Sequence, residues 1–224
     1  MAKTKKKSPK AAEIDWPACQ LMLVVEPGAG ARERLTAAFE HCQAVAVLIR
    51  PKPEHQLGAG EVKPLVDLAQ DQGAAAIVFG DAQLAKTLRA DGVHLPAGLD
   101  TRARIADARA MLGAEASIGV DAGHSRHEAM EAGEAGAEYV AFGYGAGGPA
   151  GRLQRDELIA WWAGIFEVPC VVLDVECADE VRIADKQGAD FAALTLPSQA
   201  SPDEIAVLTG EADAALLQGV SAGE

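Results

Sequence analysis

Aromatic residues are scarce in this chain, at 4%, although hydrophobic residues make up 49%. Alanine, valine and leucine must therefore fill the core. Basic charge is also in deficit: 20 Lys and Arg stand against 33 Asp and Glu, for a formal net charge of -13. That balance excludes a duplex nucleic-acid binder, which needs a basic face. The four cysteines, Cys19, Cys42, Cys170 and Cys177, form no C-x-x-C pair. Cys19 and Cys170 lie in apolar strand-like runs, so buried reduced thiols are expected rather than disulfides or zinc ligands. No apolar run approaches the roughly 20 residues of a membrane span. No Gly-x-Gly-x-x-Gly follows the first apolar run, so the dinucleotide fingerprint is missing. Residues 1–10 are lysine-rich, but no apolar signal segment follows them. The expectation is a cytoplasmic protein with a flexible basic tail over residues 1–17 and one domain over 18–224.

Short apolar runs alternate regularly with stretches of helical spacing. Cys19 to Glu26, Ala44 to Ile49, Ala74 to Phe79 and Gly92 to Leu95 read as the first four strands. Ser117 to Val120, Glu138 to Gly143, Pro169 to Val175 and Phe191 to Leu196 read as the last four. Their near-continuous apolar character fits strands buried on both faces. Helices are expected over 31–42, 61–72, 82–90, 101–112, 126–135, 156–166, 178–187 and 202–217. Ser125 is placed to cap its helix with Glu128 as capping-box partner, and Ser201 to cap the last helix with Pro202 at its first position. Eight strands alternating with eight helices predict an α/β fold, a single (β/α)8 TIM barrel. A doubly wound open sheet is the alternative, but regular eightfold alternation favours closure. Trp161 and Trp162 are adjacent and cannot share one helix face; one is expected in the core, the other as a homo-oligomer contact.

In such a barrel every strand's C-terminal end points at one mouth. Topology alone then nominates Glu26, Arg50, Lys52, Asp81, His94, Asp121, His124, Ser125, Tyr144, Asp174, Glu176 and Thr195. Arg50 and Lys52 could clamp a phosphate. Asp81 and Asp121 could hold Mg²⁺, which takes one or two carboxylates plus phosphate oxygens. His124 is a candidate general acid or base. Gly145, Gly147 and Gly148, within the run Gly145 to Gly151, could offer backbone N–H groups to a phosphate. The plainer expectations stand beside these. His94, inside an apolar strand, reads as a hydrogen-bonded core residue, the glycine run as a flexible loop, and Asp174 and Glu176 as water-facing.

Several stretches together resemble one family. Ala90-Asp91-Gly92-Val93-His94-Leu95, Ile118-Gly119-Val120, His124-Ser125 and Glu134 to Gly143 (EAGAEYVAFG) are similar, in order and spacing, to thiamine phosphate synthase/TenI proteins. The resemblance spans roughly residues 19 to 200 and implies a TIM barrel. It implies a transferase of thiamine biosynthesis, in which a pyrimidine methyl diphosphate loses pyrophosphate and the nitrogen of a thiazole phosphate captures the carbon. Small phosphorylated metabolites would be its partners, with neither nucleic acid nor membrane, and Mg²⁺ its cofactor. Carried onto this chain, the resemblance places Arg50 and Lys52 on the diphosphate and Asp81 and Asp100 on the metal, each acid one position late. His124 is the catalytic candidate, with Asp121, Tyr144, Gly145, Gly147 and Gly148 binding substrate. Two departures stand out. The family's Thr-x-Thr-Lys loop becomes Gly145 to Arg152, and its Gly-Gly after the seventh strand, which cradles the thiazole phosphate, becomes Asp174-Val175-Glu176. A TenI-like thiazole tautomerase with His124 as base, and a non-catalytic ligand- or partner-binding barrel, are the alternatives.

Overall fold

The computed structural model describes residues 19–52 and 55–220, so the expected tail over residues 1–17 lies outside the described residues. Eight parallel strands form a closed barrel: β1 (Gln20–Val25), β2 (Ala44–Ile49), β3 (Ala75–Phe79), β4 (Gly92–Leu95), β5 (Ser117–Asp121), β6 (Tyr139–Phe142), β7 (Cys170–Val175) and β8 (Phe191–Thr195). Each pairs with its successor, and β8 closes on β1 with Gln20 opposite Phe191 and Val24 opposite Thr195. The helices alternate with them: α1 (Ala31–His41), α2 (Ala59–Asp71), α3 (Ala82–Leu88), α4 (Thr101–Leu112), α5 (Arg126–Glu134), α6 (Gly148–Ala163), α7 (Ala178–Lys186) and α8 (Pro202–Val220). The predicted (β/α)8 barrel is the observed fold.

Two apolar layers follow from the period of two along each strand. Leu21, Leu23, Val47, Val78 and Val172 face outward and pack with helix residues such as Leu35, Leu65, Ile105 and Ile159. Met22, Val24, Leu48, Ile77, Tyr139, Val171 and Leu173 form a second cluster made of strand residues alone. That cluster is the barrel lumen, a packed interior rather than a pore. Alanines at 46, 141 and 193 keep it narrow. One stack crosses it: Phe79 lies 5.5 Å from His94, and His94 lies 5.7 Å from Tyr139, centroid to centroid. His94 is fully buried, and its Nδ1 shares a hydrogen bond of 3.0 Å with the Tyr139 hydroxyl. The expectation of a bonded core histidine holds. Gly119 makes room for the ring, because a Cβ there would lie 1.9 Å from Tyr139 Cζ.

The caps largely follow the sequence. Ser201 Oγ accepts from the Glu204 amide, while Glu204 Oε2 takes the Ser201 amide, a reciprocal box ahead of Pro202. Ser125 Oγ accepts from the Glu128 amide at 3.2 Å. The reciprocal half is diverted there: the Ser125 amide goes to the Ala122 carbonyl, and Glu128 Oε2 accepts from the Thr101 hydroxyl. The main difference lies before Asp156. Gly145–Gly147 forms a single 3-10 turn and α6 starts at Gly148, eight residues earlier than expected. Pro149 presets the first helical φ, overriding the low helix propensity of the surrounding glycines. Trp162 is buried against Phe142 and Phe166, as one tryptophan was expected to be. Trp161 is partly buried, with the Arg126 guanidinium 4.7 Å from its ring centre. Cys19, Cys42 and Cys170 are buried free thiols, while Cys177 is exposed.

Candidate active site at the barrel mouth

Continuing the inward face of each strand by two residues leads from the lumen to the mouth. Beyond Leu48 comes Arg50, beyond Ile77 comes Phe79, beyond Gly119 comes Asp121, and beyond Ala141 comes Gly143. Arg50 and Asp121 therefore bring charge to the mouth above a lumen that is apolar except for the His94–Tyr139 pair.

Arg50 is the cation at its centre. Its Nη1 donates to Asp174 Oδ1 at 2.9 Å. Asp174 sits where β7 loses register with β8, between Val172 and Val175, and its backbone has φ 57°. That left-handed conformation suits glycine best and aspartate better than most residues. Arg155, 2% exposed, fixes the bulge from behind: its Nη1 donates to the Leu173 carbonyl at 2.9 Å and to the Asp174 carbonyl at 3.4 Å. The second carboxylate oxygen of Asp174 accepts the Tyr144 amide at 3.3 Å. A side chain at Gly143 would displace this carboxylate, since a Cβ there would meet Asp174 Oδ2 at 2.8 Å.

Asp121 ends β5 and accepts the Gly123 amide at 2.8 Å, closing a tight turn ahead of His124. Burial pushes its carboxyl above the ordinary range. The Gly123 bond opposes that shift, Asp174 adds to it, and Arg50 and His124 counter it. Arg50, Asp121, His124 and Asp174 thus share one electrostatic environment, with His124 exposed at its rim.

A second network ties the loop after β6 to the loop after β7. The Tyr144 hydroxyl donates to Glu176 Oε1 at 2.8 Å. Arg152 Nη2 donates to Glu176 Oε2 at 2.7 Å and to the Tyr144 hydroxyl at 3.2 Å, and Arg152 Nη1 pairs with Glu180. The Arg152 guanidinium stacks 4.6 Å above the Tyr144 ring. The hydrogen bond from Tyr144, followed by Arg152, holds the Glu176 carboxyl below its ordinary range. Burial and then Glu176 raise the Tyr144 phenol. The 3-10 turn carrying Gly145 and Gly147 and the start of α6 at Gly148 follow Tyr144 directly.

Lys52, Asp81 and Asp100 lie in the loops that follow β2, β3 and β4. Lys52 is exposed, and its carbonyl accepts the His55 amide. Asp81 caps α3, accepting the Leu84 amide at 2.8 Å through Oδ1, which leaves Oδ2 outside that bond. Asp100 stands exposed at the N-terminus of α4 with φ 57° and makes no cap bond through its side chain. A cleft of about 380 Å³ runs between these loops, lined by Pro51, Leu57, Phe79 and Asp81 among others. Among the described residues, the one cluster of three metal-ligating side chains within mutual reach is His127, Glu128 and Glu131 on α5, and it includes neither Asp81 nor Asp100.

The structure therefore pairs Arg50 with Asp174, brings both of them and His124 within electrostatic reach of Asp121, and sets Tyr144 beside Glu176. It leaves Lys52, Asp81 and Asp100 on the solvent-facing loops. Glu176 is exposed, as expected, although Arg152 also engages it; Asp174, expected to face water, is instead half-buried and paired with Arg50. Arg155 and Glu180 were not anticipated; Arg155 acts from α6 on a strand end 18 residues away, which no local pattern marks, and Glu180 accepts the Glu176 amide just ahead of its own helix while pairing with Arg152 across from α6.

A family model described as thiamine monophosphate synthase matches residues 21–196. A thiamine-phosphate synthase of Erythrobacter litoralis (strain HTCC2594) is 39% identical over 194 residues, covering 82% of this chain and 89% of that protein. Another, from Rhodospirillum centenum (strain ATCC 51521 / SW), is 36% identical, covering 79% of this chain and 87% of its own. Thiamine phosphate pyrophosphorylase from Pyrococcus furiosus shares the fold, with a TM-score of 0.70 at 21% identity over 90% of this chain and 97% of that one. No helix among the described residues is long and apolar enough to cross a membrane. With that family model covering most of the chain and relatives of up to 39% identity matching over most of their own length, the chain belongs to the thiamine monophosphate synthase family.

Proposed function

We propose that this protein is a thiamine-phosphate synthase, joining a pyrimidine methyl diphosphate to a thiazole phosphate in thiamine biosynthesis. The observation that carries the reading is the relative of that name, 39% identical over 89% of its own length. Arg50 at the barrel mouth gives it a chemical basis. In the reaction the bond between the methylene carbon and the diphosphate oxygen breaks, and its electron pair leaves with pyrophosphate. The thiazole nitrogen lone pair then forms the new C–N bond. No net proton transfer is needed, so the protein's work is to stabilise the departing charge and align the two reactants.

Arg50 and Lys52 supply positive charge on the β2 side of the mouth. Asp81 and Asp100 would hold Mg²⁺. Their chemistry fits an ion that takes one or two carboxylates and completes its shell with phosphate oxygens and water, and Asp81 retains an oxygen outside its cap bond. When bound, the ion neutralises diphosphate charge. His124 and Asp121 face the reacting carbon from β5, where His124 can hold a proton near the leaving oxygen. Tyr144 and the amides of Gly145, Gly147 and Gly148 face the second substrate from the β6 side. The ligands are small and phosphorylated, and the acidic chain fits a cytoplasmic enzyme.

The test is synthase assay of the purified protein with both substrates and Mg²⁺, product followed by chromatography. Wild type should form thiamine phosphate, and Arg50→Ala should lose at least about 100-fold in kcat/KM, the scale of removing a charge-stabilising donor. Absence of product from well-folded wild type would sink the reading.

A further inference from the structure

We infer that Asp174 is an internal anion that occupies Arg50 and must be displaced by the incoming diphosphate, making it the residue that sets how tightly the mouth binds its anionic substrate and product. The inference rests on the reading of Arg50 as a diphosphate ligand. Two donors of the kind that bind phosphate, a guanidinium and a backbone N–H, converge on one carboxylate: Arg50 Nη1 at 2.9 Å and the Tyr144 amide at 3.3 Å. The carboxylate thus stands in for a phosphate group in both charge and hydrogen bonding.

The placement is built rather than incidental. Asp174 holds a left-handed backbone at a break in strand register, its carbonyl is gripped by the buried Arg155, and its Oδ2 fills the space that a side chain on Gly143 would need. Its side chain is 21% exposed and that of Arg50 26%, so a ligand entering the mouth reaches the pair from solvent. Asp121 adds a second carboxylate to the same environment. A singly charged anion gains little by replacing Asp174. A diphosphate carrying Mg²⁺ offers more charge and more acceptors, so it alone has the means to compete. Rejected carboxylate and bound diphosphate repel each other, which weakens product as well as substrate.

The test measures binding of inorganic pyrophosphate with Mg²⁺, by titration calorimetry, to wild type, Asp174→Asn, Asp174→Gly, Arg50→Ala and Arg50→Ala/Asp174→Asn. Inorganic phosphate serves as the weaker anion. Asparagine tolerates the left-handed backbone and glycine prefers it, so the two variants guard against misfolding of either. Asp174→Asn and Asp174→Gly should each bind pyrophosphate about tenfold more tightly than wild type, and pyrophosphate should inhibit turnover at correspondingly lower concentration. The gain should vanish when Arg50 is alanine. Unchanged or weaker binding in both Asp174 variants, with Arg50→Ala still impaired, overturns the inference and leaves the reading of Arg50 intact. Binding unaffected by Arg50→Ala overturns the reading of Arg50 itself, and the inference with it. Lack of pyrophosphate binding in every variant also overturns both.

Discussion

Replacing Gly119 with alanine adds one methyl group to the barrel lumen and should be among the most damaging small substitutions in the protein. The new Cβ would stand 1.9 Å from Tyr139 Cζ and 2.3 Å from its hydroxyl oxygen. Neither is the loose end of a flexible chain: the ring is wedged beside His94, and its hydroxyl is that residue's hydrogen-bond partner. Tyr139 must therefore leave its rotamer, or β5 must move away from β6. Overpacking of this kind costs about 1–3 kcal/mol. Losing the one hydrogen bond that the His94 ring makes among the described residues leaves both ring nitrogens unpartnered in the core, since Nε2 has no partner already, and adds about 1–3 kcal/mol more. Stability of a domain is about 5–15 kcal/mol, so the loss is a large fraction of the whole. Urea unfolding followed by circular dichroism should show a midpoint shift at constant slope, and thermal melting a drop of about 10 °C. The same substitution should be far milder beside Tyr139→Leu, where the ring is gone, a coupling that a double-mutant cycle reads directly. A Gly119→Ala protein within about 1 kcal/mol of wild type would refute the argument, because the lumen would then be soft enough to absorb the methyl group.

The buried His94 also predicts a pH dependence. Burial, helped by the Arg50 charge, depresses its pKa to about 3. The native state thus refuses a proton that the unfolded chain accepts below about 6.5. Its contribution is fully present above about 6.5 and is lost as pH falls from there toward 3, at up to about 1.4 kcal/mol per pH unit. The stability gap between wild type and His94→Gln should narrow by about 2 kcal/mol between pH 7.5 and 5, and parallel profiles from chemical denaturation would contradict this. Arg155→Met should cost about 3–5 kcal/mol in the same assay, since it strips two strand-end carbonyls and Asp156 of a fully buried donor. A loss below about 1 kcal/mol would mean that the bulge at Asp174 holds without it.

Much of the barrel was legible because its local signals agree. Asp91-Gly92 and Pro96 bracket β4, and α4 runs from Thr101 to Leu112 as its spacing indicates. The start of α6 was hidden because glycines at 145, 147, 148 and 151 read as loop, whereas Pro149 and packing of the helix decide otherwise. Arg50, Asp121 and Asp174 lie at strand ends around the mouth, where topology alone puts them. Their pairing was not legible. Period-two alternation treats Asp174 and Glu176 as equivalent neighbours, but the backbone turn at Asp174 breaks that period and sends one carboxylate to Arg50 and the other to Arg152. Sequence spacing carries no information about a bulge of this kind until the partner strands are in place.

Closure of β8 on β1 has a consequence for synthesis. β1 has a neighbour in β2 early, but its other edge waits until residues 191 to 195 have left the ribosome. Until then a run of Leu21, Met22, Leu23, Val24 and Val25 presents open backbone donors and acceptors beside a wholly apolar surface. Such an edge is a template for pairing with another nascent chain. The contacts that finally cover it are among the most distant in the sequence, which makes their formation slow. Delay late in translation should therefore lower the yield of native protein through aggregation, and chaperone supply should matter most over the interval between emergence of β1 and emergence of β8.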